Sequence, residues 1–136
     1  MIIRKFKDGD IQRIALQNEQ AKEKGDWSFY KSPNTMVFEE DGEVYALIYP
    51  ERTVGRRIFI ASLISKNIGR KMFCFVKMLK RMLVEELNKG DTLRVEFVTQ
   101  VGFPQAEHLA KLLGFEYEGT MKKYYNGIDF KMWGKV

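Results

Sequence analysis

The sequence predicts an α/β protein: a mixed, mostly antiparallel sheet of about six to seven strands with helices on both faces, in the order β-α-β-β-β-α-β-α-β-β. Three observations carry this expectation. Alternating apolar and polar residues flank Asp41-Gly42 and again Asn126-Gly127, dipeptides that favour two-residue hairpins. Apolar residues at 68, 72, 75, 76, 79, 82, 83 and 87 keep helical spacing. Strand-like runs stand directly before and after that helix, the sequence form of a β-α-β crossover.

In chain order, MIIRKF alternates weakly and reads as a first strand. Asp10 is placed to cap a helix from Ile11, with Ile11, Ile14, Ala15 and Asn18 on successive turns and Gly25 as its stop. WSFYKSPNT is a loop rich in aromatics, and TMVFEEDGEVYALIYP holds the first hairpin. RRIFIASLIS is an unbroken strand, followed by the long helix from Ile68 that Asn88 and Gly90 end. DTLRVEFVTQ is a strand with Leu93, Val95 and Phe97 on one face and Arg94, Glu96 and Val98 on the other. FPQAEHLAKLLGF is a short helix with Pro104 in its first turn and Gly114 at its end. EYEGTMKKYYNGIDFKMWGKV closes as the second hairpin. The two β-α-β passes, around the helices starting near 68 and 104, predict neighbouring parallel strands, and residues 1–136 read as one domain.

Composition narrows the function classes. The chain is 45% hydrophobic and 30% charged, which is ordinary for a globular protein. No apolar run approaches the roughly 20 residues of a membrane span, and MIIRKFKDGD lacks a signal-peptide core. The expectation is a soluble, cytoplasmic protein without membrane association. Cys74 is the single cysteine, so an internal disulfide or a cysteine-built metal site is excluded. Between Phe73 and Phe75 it reads as a core or semi-buried residue, and the phenylalanines and methionines around it as core filler.

The net charge is +5, and its placement tells more than its size. Between Glu51 and Glu85 no residue is acidic and nine are basic: Arg52, Arg56, Arg57, Lys66, Arg70, Lys71, Lys77, Lys80 and Arg81. Such a one-sign block favours a polyanion, either nucleic acid contacted without sequence preference over 52–81 or a phosphate-rich cofactor. A solvated basic face without a partner is the other reading.

Within that block the strand becomes helix through SLISKNIGRKMFCF. Ser65, Lys66, Asn67, Ile68, Gly69, Arg70 and Lys71 form the junction. It is either an anion-binding turn or an ordinary helix start capped by Ser65 or Asn67.

AEHLAKLLGFEYEGTMKKYYNGIDFKMW resembles the last helix, Leu-Gly-Phe turn and closing strands of the GNAT superfamily of acetyl-CoA-dependent N-acetyltransferases, most like the small, divergent GNAT-like proteins of tailed phages. The resemblance covers the chain in outline and is firm at motif level for residues 104–133. It implies a strand whose end, here Leu63 and Ile64, offers backbone groups to the pantetheine arm of acetyl-CoA. It also implies a turn, here Ser65–Lys71, that holds the pyrophosphate on N–H groups at the positive helix end. The family's turn has the form Gln/Arg-x-x-Gly-x-Gly/Ala, and this chain keeps only Gly69. Asn67 is placed to supply a left-handed residue, and Arg70 and Lys71 to add side-chain charge.

The reaction needs a base for the acceptor amine and an acid for the leaving thiolate. The family's usual tyrosine acid falls on Ala110, so the residue that serves as acid in the ordinary mechanism is absent here. Tyr124 or Tyr125 stands in as acid or is a sheet aromatic. Glu96 is a base or the partner of Arg94; His108, the sole histidine, is a proton carrier or lies outside the chemistry. Trp27, Phe29 and Tyr30, with Lys24 and Lys31 nearby, flank the acceptor entrance or form a satellite core. The implied function is acetyl transfer to a primary amine of a protein or small molecule. A catalytically lost phage or virion component that uses the basic face on nucleic acid or protein is the alternative. The compartment would be host cytoplasm or virion, no metal is expected, and the closing strands offer a homodimer surface.

Overall fold

The structure, a computed structural model, describes residues 1–22 and 27–136. Its strands are β1 (Ile2–Lys5), β2 (Met36–Glu40), β3 (Glu43–Thr53), β4 (Arg57–Ile64), β5 (Arg94–Gln100), β6 (Glu116–Tyr125) and β7 (Ile128–Lys135). The helices are α1 (Asp10–Arg13), α2 (Asn18–Lys22), α3 (Met72–Asn88) and α4 (Pro104–Leu112), with 3-10 turns at Ser28–Lys31 and Gly69–Lys71. The seven strands form one sheet in the order β1-β2-β3-β4-β5-β7-β6. Both hairpin turns have positive φ at each central residue: 52° and 80° at Asp41 and Gly42, 49° and 77° at Asn126 and Gly127. That is the mirror-image turn whose twist matches the strands, which is why Asp-Gly and Asn-Gly stand there.

The chain divides into two compact units, Met1–Pro50 with Ala61–Phe75, and Glu51–Ile60 with Val76–Val136. In the first, Ile14, Tyr30, Val37, Val44, Leu47 and Leu63 form a buried cluster. The expected N-terminal helix does not run through. It stops at Arg13, Ile14 turns extended, and the helix resumes at Asn18. Between these points Leu16 bridges Ser65, and the Ala15 carbonyl accepts the Lys66 N–H at 2.9 Å. Pairing with the end of β4 overrides the helical period, as tertiary contacts routinely override local preference. The expected stop at Gly25 lies outside the described residues, as does Lys24.

Asp10 also differs from its expected role. Gly9 takes the N-cap position, and Asp10 is fully buried in the first turn, accepting the Lys7 N–H at 2.8 Å and two Arg4 bonds at 2.8 Å. Despite burial, the Arg4 guanidinium holds this carboxyl below the usual aspartate range.

In the second unit the first half of β4 pairs in parallel with β5, Arg57 to Arg94 through Ile60 to Phe97. This is the neighbouring parallel pair expected across the long helix. The second pass, through α4, gives no neighbouring pair: β7 lies between β5 and β6, antiparallel to both. The tight Asn126-Gly127 turn brings β7 back beside β6, and β7 then takes the β5 edge, with Phe97 opposite Trp133. Leu93, expected within the strand on the face of Val95 and Phe97, lies just ahead of β5 and is exposed.

Helix α3 starts at Met72, after the 3-10 turn, rather than at Ile68. Phe75, Leu79 and Leu83 are buried, and Phe75 meets Phe38 edge-on at 4.9 Å. Phe73 is 84% exposed and Cys74 is exposed, against the expectation of core filler. The residues at 75, 79 and 83 already fill the inward face, and 73, 77, 80 and 84 fall opposite. Among the described residues no helix is long and apolar enough to cross a membrane.

Candidate functional site

The junction after β4 is organised by Ser65. This residue is buried, its N–H donates to the Tyr45 carbonyl at 2.8 Å, and its carbonyl accepts the Ile68 N–H at 3.2 Å. Its hydroxyl accepts the Asn67 N–H at 3.0 Å. The backbone then alternates hand: Ile68 is right-handed at φ −62° and ψ −35°, and Gly69 is left-handed at φ 47°. Alternation of this kind turns successive N–H groups toward one point and makes an anion-binding concavity. Among the described residues, the Gly69 and Arg70 N–H groups donate to no partner. They stand one turn ahead of the 17-residue α3, whose dipole adds positive potential.

Gly69 is needed for its backbone, since a Cβ there would meet nothing within 4 Å. Asn67 does not supply a second left-handed residue. The left-handed non-glycine positions among the described residues are Asp41, Arg56, Lys123 and Asn126. The Asn67 amide reaches Glu43 at 3.4 Å.

The basic block is less free than its sequence suggests. Arg52 pairs with Glu86, Arg57 with Glu96, Arg81 with Glu85, and Lys71 with Glu40. Arg56 is bound to the Gly90 and Asp91 carbonyls. Lys71, held by Glu40 and lying 5.4 Å over the Tyr45 ring, is thus already engaged. Lys66 and Arg70 are exposed and have no carboxylate partner among the described residues, so the open positive charge of the turn is theirs.

One edge of β4 carries a feature that the sequence did not signal. Gln20, 6% exposed, donates from Nε2 to the Ser62 carbonyl at 3.2 Å and accepts the Ile64 N–H on Oε1 at 3.3 Å. Gln17 donates to the Ile64 carbonyl at 3.2 Å. Leu63 and Ile64 themselves are buried. The two glutamines read as ordinary helix residues because their partners lie more than forty residues away.

Of the aromatic loop, Tyr30 belongs to the buried cluster and Trp27 packs partly buried against it. Phe29 is 41% exposed, stacked 4.5 Å from Tyr30 and 5.4 Å from Tyr49. It is the ring of the three that solvent reaches most freely.

Among the proton-transfer candidates, Glu96 sits between two arginines, accepting from Arg57 at 3.0 Å and Arg94 at 2.9 Å; Arg94 also binds Glu118. Burial pulls the Glu96 carboxyl upward, yet the two guanidiniums win and hold it below the usual glutamate range, a weak base. Tyr124 is half-exposed, with its ring 5.7 Å from Phe130. Its hydroxyl is pushed up by burial and by the negative charge of Glu96, so it keeps its proton through neutral pH. Tyr125 stands edge-on to the same Phe130 at 6.5 Å. His108 is exposed on α4, where its neighbour Glu107 is paired with Lys131. Ala110, at the position of the usual tyrosine acid, is fully buried.

No family model matches the chain, and no curated protein matches it. Solved structures do. A GNAT-family acetyltransferase from Bacillus anthracis superposes with TM-score 0.77 at 14% identity, over 98% of this chain and 93% of that one. Ard1 from Thermoplasma volcanium gives 0.75 at 16% identity, over 99% and 96%. The microcin C7 self-immunity acetyltransferase MccE, solved with acetyl-CoA and AMP, gives 0.63 at 16% identity, over 75% and 59%. The chain therefore has the fold of GNAT acetyltransferases, with the mixed sheet its sequence predicts.

Proposed function

We propose that this protein is an acetyl-CoA-dependent N-acetyltransferase that binds the cofactor's pyrophosphate at Ser65–Lys71. The observation that carries the reading is the turn itself. Two N–H groups that have no partner among the described residues lie in an alternating-hand backbone at a helix start, flanked by Lys66 and Arg70, which have no carboxylate partner among those residues. The solved structures of like fold support it, since they are acetyltransferases and one is held with acetyl-CoA. The single glycine fits, because alternation of hand needs one left-handed residue, and Gly69 is it.

In the proposed reaction a primary amine of a protein or small molecule attacks the thioester carbonyl directly in a ternary complex. The C–N bond forms, the C–S bond breaks, the amine nitrogen gives up a proton to solvent, and the thiolate takes one. Tyr124 is the candidate acid, because its hydroxyl stays protonated at neutral pH. Glu96, lowered by Arg94 and Arg57, suits the base role poorly and is read as structural. The unpaired Lys66 and Arg70 favour an acceptor without strong positive charge.

The test is the melting temperature with acetyl-CoA and free CoA, for the native chain and for Lys66→Glu/Arg70→Glu. Cofactor at about 100 times its dissociation constant adds about 2.7 kcal/mol to the native chain, and the double variant loses that shift. No shift at millimolar cofactor in the native chain rejects the reading.

A further inference from the structure

The main-chain groups of β4 point alternately to its two sides. Ser65 N–H goes to Tyr45 on β3, so Ser62 and Ile64 direct theirs to the opposite edge. At that edge the segment from Ala15 to Gln20 has taken every group named so far. Lys66 N–H goes to the Ala15 carbonyl, the Ile64 carbonyl to Gln17, and the Ile64 N–H and Ser62 carbonyl to the one carboxamide of Gln20. A primary carboxamide offers a C=O and an N–H on the same side, the pair that a strand presents from two successive trans amides, and Gln20 uses both at once.

We propose that Gln20 is a built-in competitor. Its carboxamide occupies the amide-recognising pair on β4, and acetyl-CoA binds by exchanging a carbonyl from one of its two pantetheine amides and an N–H from the other for the glutamine's pair, which moves α2 off the edge. This rests on the acetyl-CoA reading above. The exchange is inexpensive for physical reasons. The Gln20 bonds are long, at 3.2 and 3.3 Å, and α2 has five residues, far short of the length at which a helix holds by itself. The two incoming amides restore both bonds, one by its carbonyl and the other by its N–H, so Ser62 and Ile64 are not left without partners. Gln17 and the Ala15 carbonyl hold the neighbouring positions, so the glutamine acts as the outermost clasp of a short added strand.

Closure of this kind lowers apparent affinity by the fraction of molecules that are open. With about one molecule in ten open, removal of the carboxamide tightens acetyl-CoA binding about tenfold, equal to about 1.4 kcal/mol. The test uses Gln20→Ala, with Gln20→Met as a volume-filling second variant should the first unfold, and two readouts. Amide exchange needs no cofactor: the Ile64 N–H, protected in the native chain, loses protection in the variant, whereas Ser65, bonded to Tyr45, keeps it. Calorimetric titration with acetyl-CoA then shows the tightening. Unchanged Ile64 protection, or lost protection with unchanged affinity, overturns the clasp. Lost protection with no binding in either protein overturns the acetyl-CoA reading itself, and the competition with it.

Discussion

Replacing Glu96 by glutamine separates its two readings. In the structure one oxygen of this carboxylate accepts from both Arg57, at 3.0 Å, and Arg94, at 2.9 Å, and the Glu96 side chain is 12% exposed. Glutamine keeps the shape and an acceptor oxygen but removes the charge, leaving Arg57 with the Val54 carbonyl and no carboxylate among the described residues, and Arg94 with the Glu118 carboxylate. A charge-assisted hydrogen bond contributes about 1.5–3 kcal/mol when buried, and exposed pairs contribute about 0–1 kcal/mol. Arg57 is 39% exposed and Arg94 24%, so the two bonds together stand between those limits, at about 2 kcal/mol. For a chain of 136 residues that is a fall of about 7 °C in melting temperature.

The pH dependence fixes the cause. The folded Glu96 carboxyl lies below its ordinary value, so its contribution is present above the unfolded glutamate range, about 4.3, and is lost as pH falls through the lower folded value. The gap between native chain and Glu96→Gln is therefore full at pH 7 and narrows below about pH 4. The assay is thermal melting across pH, paired with acetyl transfer to a generic amine. An unchanged melting temperature with a hundredfold loss of turnover would refute the structural reading and restore Glu96 as the base.

Three further outcomes are expected. Asp10→Asn, which leaves the half-buried Arg4 guanidinium with Glu39 as its carboxylate, costs about 2 kcal/mol by chemical denaturation; the loss fades in acid, because the Asp10 carboxyl too is held low. Phe75→Ala, in the core against Phe38, costs about 3–5 kcal/mol, whereas Phe73→Ser, at an 84% exposed site on the same helix, stays within about 0.5 kcal/mol. Gly69→Ala costs about 1 kcal/mol through its left-handed φ alone. Because a methyl meets nothing there, acetyl-CoA affinity should fall with the turn's geometry rather than through a clash.

What could be read from the sequence was what depends on neighbours in the chain. Asp41-Gly42 and Asn126-Gly127 announce their turns because the positive φ is a property of the dipeptide. The α3 period announces a helix because Phe75, Leu79 and Leu83 share one face. The same period leaves 73 and 74 off its stripe, so reading Phe73 and Cys74 as core follows their apolar type and not their phase. It did not show that Leu16 would leave the helix for Ser65, since that competitor lies far along the chain. The order of β5, β7 and β6 escaped for a related reason. A crossover fixes strand direction, while adjacency is decided by which strand reaches the free edge first.

The turn was legible in its residues but not in its charges. Read as sequence, Lys66, Arg70 and Lys71 are equivalent cations around one glycine. Folded, Lys71 is held by Glu40 from β2, and a side chain already neutralised gains little by turning to a phosphate. The proposed anion site thus reduces to backbone N–H groups with two cations, and Gly69 becomes the residue on which its shape depends. The same logic governs the β4 edge. Backbone groups buried without partners are costly, so under the proposed exchange the strand end is covered until acetyl-CoA arrives. A glutamine carboxamide is the side chain that covers it with the ligand's own chemistry, at bonds long enough to be given up.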